Sequence, residues 1–136
     1  MQWRNGKGGG FTDAAVKPWL PIGDTARNVE DQQADPGSTL SFVRDLIALR
    51  RTSPDLHAGQ YRQLKSPTNT WVWQRGDATV VAVNLSGRRL RVPDLAGHIG
   101  ISTTRSRDGE RLDGGLVLGP WEGAICFSVS TSVPVR

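Results

Sequence analysis

The spacing of apolar side chains predicts one amphipathic helix near the middle of the chain. Its apolar face combines residues at helical spacing with two that widen it: Leu40, Phe42, Val43, Leu46, Ile47 and Leu49. Asp35 can cap the helix, and Pro36 suits the first helical position, where its missing N–H costs nothing. Arg50 and Arg51 suit the negative end of the helix dipole, and Pro54 is expected to end the helix. Burying each apolar side chain contributes about 1.5–3 kcal/mol, so this helix should pack against a large surface.

From Tyr61 onward, short apolar runs separated by Gly, Pro and polar residues predict strands instead of helices. Residues 71–73 and 79–84 flank the turn residues 75–77, and this order is typical of a β-hairpin. Further strands are predicted at residues 90–92, 99–103, 116–118 and 124–129. Six or seven strands of this length and spacing predict an antiparallel sandwich or barrel.

The first 34 residues follow neither pattern, although they hold three large aromatic side chains, Trp3, Phe11 and Trp19. Connections in compact domains usually run to about 4–6 residues. An aromatic-rich loop of this length is therefore expected to lie against a surface that its own residues do not supply. The fold class is predicted to be mainly β, with an N-terminal irregular segment and one α-helix followed by a small antiparallel β-sandwich. This order suits the end of a larger α/β body joined to a separate domain.

The charge and the cysteine content of the chain point to few functional classes. The net charge of +4 is carried mostly by arginine, and the clustered cations lie in turn-like segments close to acidic residues: Arg88, Arg89, Arg91, Arg105, Arg107 and Arg111. A solvated surface is therefore favoured over a nucleic-acid interface. Cys126, the only cysteine, is expected to be a buried hydrophobe. His57 and His98 lack partners at metal-ligand spacing, so no metal site is expected. Neither a signal peptide nor a membrane span is predicted, which favours the cytoplasm.

Trp71 and Trp73 stand two residues apart, so they share one face of their strand. If that face is exposed, the two rings can form a stacking platform for a sugar. If it is buried, they belong to a core or cover the helix. Packing is the favoured interpretation, and the exposure of both side chains stays open.

In their order along the chain, several motifs resemble α-glucosidases of the α-amylase superfamily, of the oligo-1,6-glucosidase type. Three motifs resemble the segment that follows barrel strand eight in this family: Met1-Gln2-Trp3, Gly9-Gly10-Phe11-Thr12 and Lys17-Pro18-Trp19-Leu20-Pro21. The family's link and final barrel helix are similar to Asn28-Val29-Glu30, Gln33 and residues 35–51. Its small C-terminal β-domain is similar to Tyr61, residues 71–75, residues 80–86 and residues 118–123.

The resemblance implies that residues 1–56 are the loop and final helix of a (β/α)8 barrel that is otherwise missing, and that residues 57–136 are the C-terminal antiparallel β-sandwich domain. It also implies a retaining mechanism with two carboxylates about 5 Å apart. In the family these carboxylates lie at the ends of earlier barrel strands, so all catalytic positions would precede residue 1. No Asp or Glu here matches a catalytic position, and the chain alone is predicted to be inactive.

Gln2 and Trp3 are the nearest candidates for substrate contacts that the resemblance supplies. Arg4 stands where these enzymes often have Asp, which weakens that comparison. No cofactor is expected. An α-glucan or oligosaccharide would be bound only through a complete parent enzyme, and a catalytic barrel is a possible partner; neither nucleic acid nor membrane is expected. The alternative hypotheses are a free-standing β-sandwich that binds carbohydrate through exposed aromatics, and an interaction module that docks on a separate barrel chain.

Overall fold

A computed structural model describes residues 2–128. Three short helices, α1 (Val29–Ala34), α2 (Thr39–Thr52) and α3 (Pro54–Ala58), precede the strands. The strands are β1 (Tyr61–Gln63), β2 (Thr70–Arg75), β3 (Thr79–Asn84), β4 (Leu90–Pro93), β5 (Gly97–Ser102), β6 (Arg111–Leu112), β7 (Gly115–Leu118) and β8 (Gly123–Ser128). The predicted fold class, mainly β with a small antiparallel sandwich, is confirmed. Val129, the end of the last predicted strand, lies outside the described residues.

By its internal contacts the chain forms two compact units, the first ending at Ile47 and the second beginning at Ala48. The division falls inside α2. The first unit contains the irregular segment and α1, and the second contains α3 and all the strands. The domain boundary after residue 56, inferred from the resemblance, stays a prediction.

The helix predicted from apolar spacing is present as α2, but its start differs from the prediction. Ser38 is the capping residue, because its Oγ accepts the N–H of Ser41 at 3.1 Å. Asp35 instead closes a tight turn by accepting the N–H of Gly37 at 2.8 Å. Pro36 lies in that turn and not in the first helical position, so the roles predicted for Asp35 and Pro36 were wrong.

Two further short helices were not predicted, and each is explained by its capping residue. The buried Asn28 begins α1, where its side-chain oxygen accepts the N–H of Asp31 at 2.9 Å. Ser53 begins α3, where its Oγ accepts the N–H of Leu56, and Pro54 follows at the first helical position. Pro54 therefore opens the next helix directly after α2 has ended at Thr52.

The strands of the second unit form a two-layer antiparallel sandwich. The larger sheet has the order β1-β2-β3-β8-β5-β6, and the smaller pairs β4 with β7. The predicted hairpin is confirmed by the β2–β3 register, in which Trp71 opposes Val83 and Trp73 opposes Val81. Alternate residues of both sheets, together with Leu95 of the β4–β5 connection, face one core. The strand residues are Val72, Val80, Ala82, Val92, Ile99, Leu112, Leu116, Leu118, Ala124 and Cys126. β6 has only two residues, too few for a strand pattern in the sequence.

Helix α3 is held on the β2–β3 hairpin by one carboxylate. Asp55 Oδ2 accepts the N–H of Ala78 at 3.0 Å and the hydroxyl of Thr79 at 3.1 Å. The turn can approach this closely because Gly76 has φ +57, and a Cβ there would lie 2.1 Å from Asp55 Oδ1. Asp55 thus has a structural role in joining the helix to the sheet.

Candidate functional site

The segment around Gln2 and Trp3 is fixed mainly by its own backbone. The carbonyl groups of Gln2 and Trp3 accept the N–H groups of Val29 and Glu30, at 2.9 and 3.0 Å. In addition, the N–H of Trp3 donates to Gly9 at 2.8 Å. The strand-like start of the segment is thereby tied to the first turn of α1. Met1, the first residue of the Met-Gln-Trp motif, lies outside the described residues.

The side chains of Gln2 and Trp3 differ in how free they are to meet a ligand. The Gln2 amide, with its nitrogen toward the Asp24 carbonyl at 3.2 Å, accepts the Gly23 N–H at 3.0 Å. Trp3 is exposed, and the adjacent Gly10 approaches it so closely that a Cβ there would lie 2.8 Å from the Trp3 Cβ. The Gln2 amide is thus occupied within the first unit, while the Trp3 ring is open. Substrate contact by either residue stays a prediction.

Trp71 and Trp73 form an aromatic cluster together with Tyr61, which sequence reasoning did not connect with them. The Trp71 and Trp73 ring centroids are 4.7 Å apart, and those of Tyr61 and Trp73 are 6.4 Å apart. The indole Nε1 of Trp71 donates to the Tyr61 hydroxyl at 3.3 Å. Trp71 and Tyr61 are about half exposed, at 47% and 51%, whereas Trp73 is half-buried. The pairing of β1 with β2 brings these residues together across ten positions of sequence.

A partly buried ion-pair network, in which Glu122 is the buried member, is the main feature that the sequence interpretation missed. Arg107, which was expected on a solvated surface, inserts its guanidinium between two carboxylates. Its Nη1 donates to both oxygens of Glu122, at 2.9 and 3.0 Å, and to the Val117 carbonyl at 2.7 Å. Its Nε and Nη2 donate to Glu110, at 2.7 and 2.8 Å. For Arg107 the solvated-surface interpretation was therefore wrong, because this chain folds a turn-like segment over a buried glutamate.

Glu122 is satisfied on every side that the fold presents to it. Besides Arg107, it accepts the Ser102 hydroxyl at 2.9 Å and the Gly119 N–H at 2.6 Å. Its side chain is 4% exposed. The sequence signal for this feature was a single glutamate in a Gly-Pro-Trp-Glu turn that leads directly into an apolar strand. A glutamate that is buried at such a place needs a cationic partner.

Glu110 is suited to an ion pair with Arg107 and not to acid catalysis. The Arg107 guanidinium, by hydrogen bonding, holds the pKa of Glu110 below its ordinary value, whereas a general acid needs a raised pKa. Cys126 is 3% exposed in the core, which confirms it as a buried hydrophobe, and burial raises the pKa of its thiol to about 12. Within residues 2–128, no group of three His, Cys, Asp or Glu side chains is placed to hold a metal ion. His98 lies beside Phe127, with ring centroids 5.6 Å apart.

The lowered pKa of Glu110 predicts an acid dependence of stability. A carboxyl group whose pKa is lowered in the folded state stabilises the fold at pH values above its ordinary pKa of 4.5. This stabilisation is lost as the pH falls through the folded-state pKa. The effect should be small, because the Glu110 side chain is 44% exposed. We expect Glu110→Gln to flatten the decline of the urea midpoint between about pH 5 and pH 3. Asp113→Asn, which removes an exposed carboxylate of the same unit, is the matched control variant.

Among the described residues, no helix has the length and apolar character needed to cross a membrane.

Comparisons with known proteins give similarity along most of the chain. The chain is 46% identical over 63 residues to a probable oligo-1,6-glucosidase 2 of Bacillus subtilis, covering 45% of this chain and 11% of that protein. It is 40% identical over 93 residues to trehalose-6-phosphate hydrolase of Escherichia coli, covering 63% and 16%. It is 31% identical over 136 residues to glucan 1,6-alpha-glucosidase of Streptococcus dysgalactiae subsp. equisimilis, covering 96% and 25%.

The solved structures agree with these relatives. The trehalulose synthase of Pseudomonas mesoacidophila MX-45 matches with a TM-score of 0.80 and 27% identity, over 94% of this chain and 24% of that one. No protein-family model matches the chain. The chain thus spans a quarter or less of the length of the relatives cited here.

Proposed function

Because this chain is homologous to α-glucosidases of the α-amylase superfamily and matches a quarter or less of their length, we propose that it works as the C-terminal portion of a glycoside hydrolase that acts on α-glucosides. The single observation that carries the proposal is similarity to the Streptococcus enzyme over 96% of the chain, at only 25% of that enzyme's length. The catalytic carboxylates would belong to the other three quarters. The 136 residues alone are then expected to have no glycosidase activity.

The hydrogen-bond partners of Asp55 and Glu122 support inactivity of the isolated chain. A retaining glycosidase needs one ionised carboxylate and one protonated acid, about 5 Å apart and open to substrate. Asp55 is occupied by Ala78 and Thr79, and Glu122 by Arg107 in a partly buried network. Each has a structural partner in place of a substrate.

The exposed apolar side chains of the first unit support a docking role for its irregular segment. Trp19 is 92% exposed, and Phe11, Val16 and Leu20 are also largely exposed. Val16 and Leu20 line an open depression of about 620 Å³ within this unit. Exposed apolar patches of this kind mark protein interfaces. The occupant we propose is the catalytic barrel of the longer protein, in carbohydrate metabolism in the cytoplasm.

A chimaera tests the proposed function directly. In glucan 1,6-alpha-glucosidase of S. dysgalactiae subsp. equisimilis, the segment that this chain matches would be replaced by this chain. We expect the chimaera to hydrolyse 4-nitrophenyl α-glucoside, and the isolated chain to release no more nitrophenol than buffer. Turnover by the isolated chain that survives repeated purification would contradict the proposal. So would a soluble, folded chimaera that has no activity.

The docking surface can be tested in the isolated chain. We expect the triple variant Phe11→Ser, Trp19→Ser and Leu20→Ser to lower the fluorescence of a bound apolar dye by about twofold, because it removes the exposed patch. The matched control is Leu85→Ser with Trp121→Ser, which removes exposed apolar side chains of the second unit. An equal loss of dye binding in both variants would argue against a dedicated surface. In the chimaera, the triple variant should also lower activity.

A further inference from the structure

The outer face of the larger sheet carries an aromatic cluster, Tyr61, Trp71 and Trp73, on neighbouring strands. The face is set by strand alternation. Val72, between the two tryptophans, is 1% exposed and belongs to the core. The tryptophans therefore point away from the core, and neither belongs to its cluster of buried side chains.

The aromatic cluster is held in a fixed arrangement. Trp71 and Trp73 are anchored by their register against Val83 and Val81 of β3. The hydrogen bond from Trp71 Nε1 to the Tyr61 hydroxyl links the two outer rings at 3.3 Å. Rings that are already oriented lose little conformational entropy when a ligand binds.

Neutral polar groups lie next to the rings. Gln63 opposes Trp73 directly in the β1–β2 register, so its exposed side chain stands on the same face. The three aromatic side chains and this amide carry no formal charge; the charged residue at a register position of this face is Arg75, which opposes Tyr61 at the end of β2. Such a surface offers apolar ring faces beside hydrogen-bond donors and acceptors, which is the composition of a site for a small neutral ligand.

The size of the aromatic cluster favours a small ligand over a protein. Two aromatic side chains that are about half exposed and a third that is half-buried present roughly 200–300 Å², whereas a stable protein interface buries about 800 Å² on each partner. A pyranose ring has one apolar C–H face and a rim of hydroxyl groups, and it matches both the rings and the amide.

We propose that Tyr61, Trp71 and Trp73 form a non-catalytic binding site for a neutral glucose oligosaccharide. The C–H face of one pyranose stacks on the exposed Trp71 ring, and Gln63 hydrogen-bonds its hydroxyl groups. The choice of glucose rests on the proposed function, while the stacking surface rests on the sheet geometry.

Calorimetric titration of the full chain with maltotriose and isomaltotriose tests the site without any catalytic step. We expect saturable binding of at least one of them, with a Kd of about 1 mM. Trp71→Ala should weaken binding at least about tenfold. The control is Trp121→Ala, which removes a more exposed tryptophan in the β7–β8 turn and should leave the Kd unchanged. Far-ultraviolet circular dichroism of each variant checks that the sandwich is folded.

The outcomes that overturn the site are distinct from those that overturn the proposed function. No saturable binding of either sugar, or equal weakening by Trp71→Ala and Trp121→Ala, rejects the site even if the chimaera is active. Self-association in sedimentation that Trp71→Ala abolishes, without sugar binding, would instead make the aromatic cluster a protein interface. If Trp71→Ala fails to fold, Gln63→Ala supplies the test, and an unchanged Kd in that variant rejects the proposed hydrogen bond.

Discussion

Replacing Arg107 by leucine is expected to destabilise the β-sandwich by about 3–5 kcal/mol, the usual cost of leaving one member of a buried ion pair without its partner. Glu122, with a side chain that is 4% exposed, would lose the guanidinium that contacts both of its oxygens. The Val117 carbonyl would lose its donor as well. Urea unfolding followed by tryptophan fluorescence measures the loss.

A double variant separates the loss of charge pairing from the loss of packing. Arg107→Leu with Glu122→Leu removes the unpaired buried charge, so it should be more stable than Arg107→Leu alone. Arg89→Leu, at an exposed arginine of the same unit, is the control and should change stability by less than about 0.5 kcal/mol. Strictly additive effects of the two substitutions would show that Arg107 and Glu122 are not coupled.

The second large effect is expected from Gly97→Ala, at about 3–5 kcal/mol. Gly97 starts β5 with φ +136, and a Cβ there would lie 2.0 Å from the carbonyl oxygen of Phe127. That oxygen is backbone of β8, so the clash cannot be relieved by a side-chain rotation. β5 and β8 would have to separate where Gly97 opposes Ser128.

Gly109→Ala is the matched control for the clash. Gly109 also has a positive φ, +84, but no heavy atom lies within 4 Å of a Cβ built there. It should therefore cost only the backbone strain of about 1–2 kcal/mol. Similar thermal unfolding midpoints for the two variants would mean that the contact with Phe127 is unimportant and that strain alone sets the cost.

The periodicity of apolar residues was sufficient to locate an element where local spacing and tertiary packing agree. The 3.6-residue repeat located α2, and the alternation around residues 71–84 located the β2–β3 hairpin with its turn. Capping was harder to predict, because two polar residues before α2, Asp35 and Ser38, could each have begun it. Asp35 and Ser38 both hydrogen-bond nearby backbone, and only the path of the chain decides that Ser38 is the cap.

The ion-pair network could not be predicted from local sequence. Arg107 and Glu122 are fifteen residues apart, with β6 and β7 between them. Spacing alone gives no reason to pair them, and arginine in a polar turn is usually solvated. Glu122, directly before β8, pairs with Arg107 only after the turn that contains Arg107 has folded over it.

The candidate site was predicted in part. Two tryptophans two residues apart established a common face, but their exposure depends on which side of β2 the core occupies. Tyr61 joins them only because β1 pairs antiparallel with β2 and its hydroxyl meets the Trp71 indole. A strand of three residues gives no periodic signal, so the contact of Tyr61 with the tryptophans could not be predicted from the sequence.

The position of β8 has a consequence for how the molecule is made. It is the last described strand along the chain, yet it lies between β3 and β5 and joins the two halves of the larger sheet. During synthesis from the N-terminus, β1–β3 can pair early, but β5 has no central neighbour until residues 123–128 leave the ribosome. Pairing over such long sequence separations is slow and leaves apolar strand faces uncovered meanwhile. A chain that terminates before Gly123 should therefore stay incompletely folded and be bound by chaperones or degraded by proteases. It should not form a smaller stable domain.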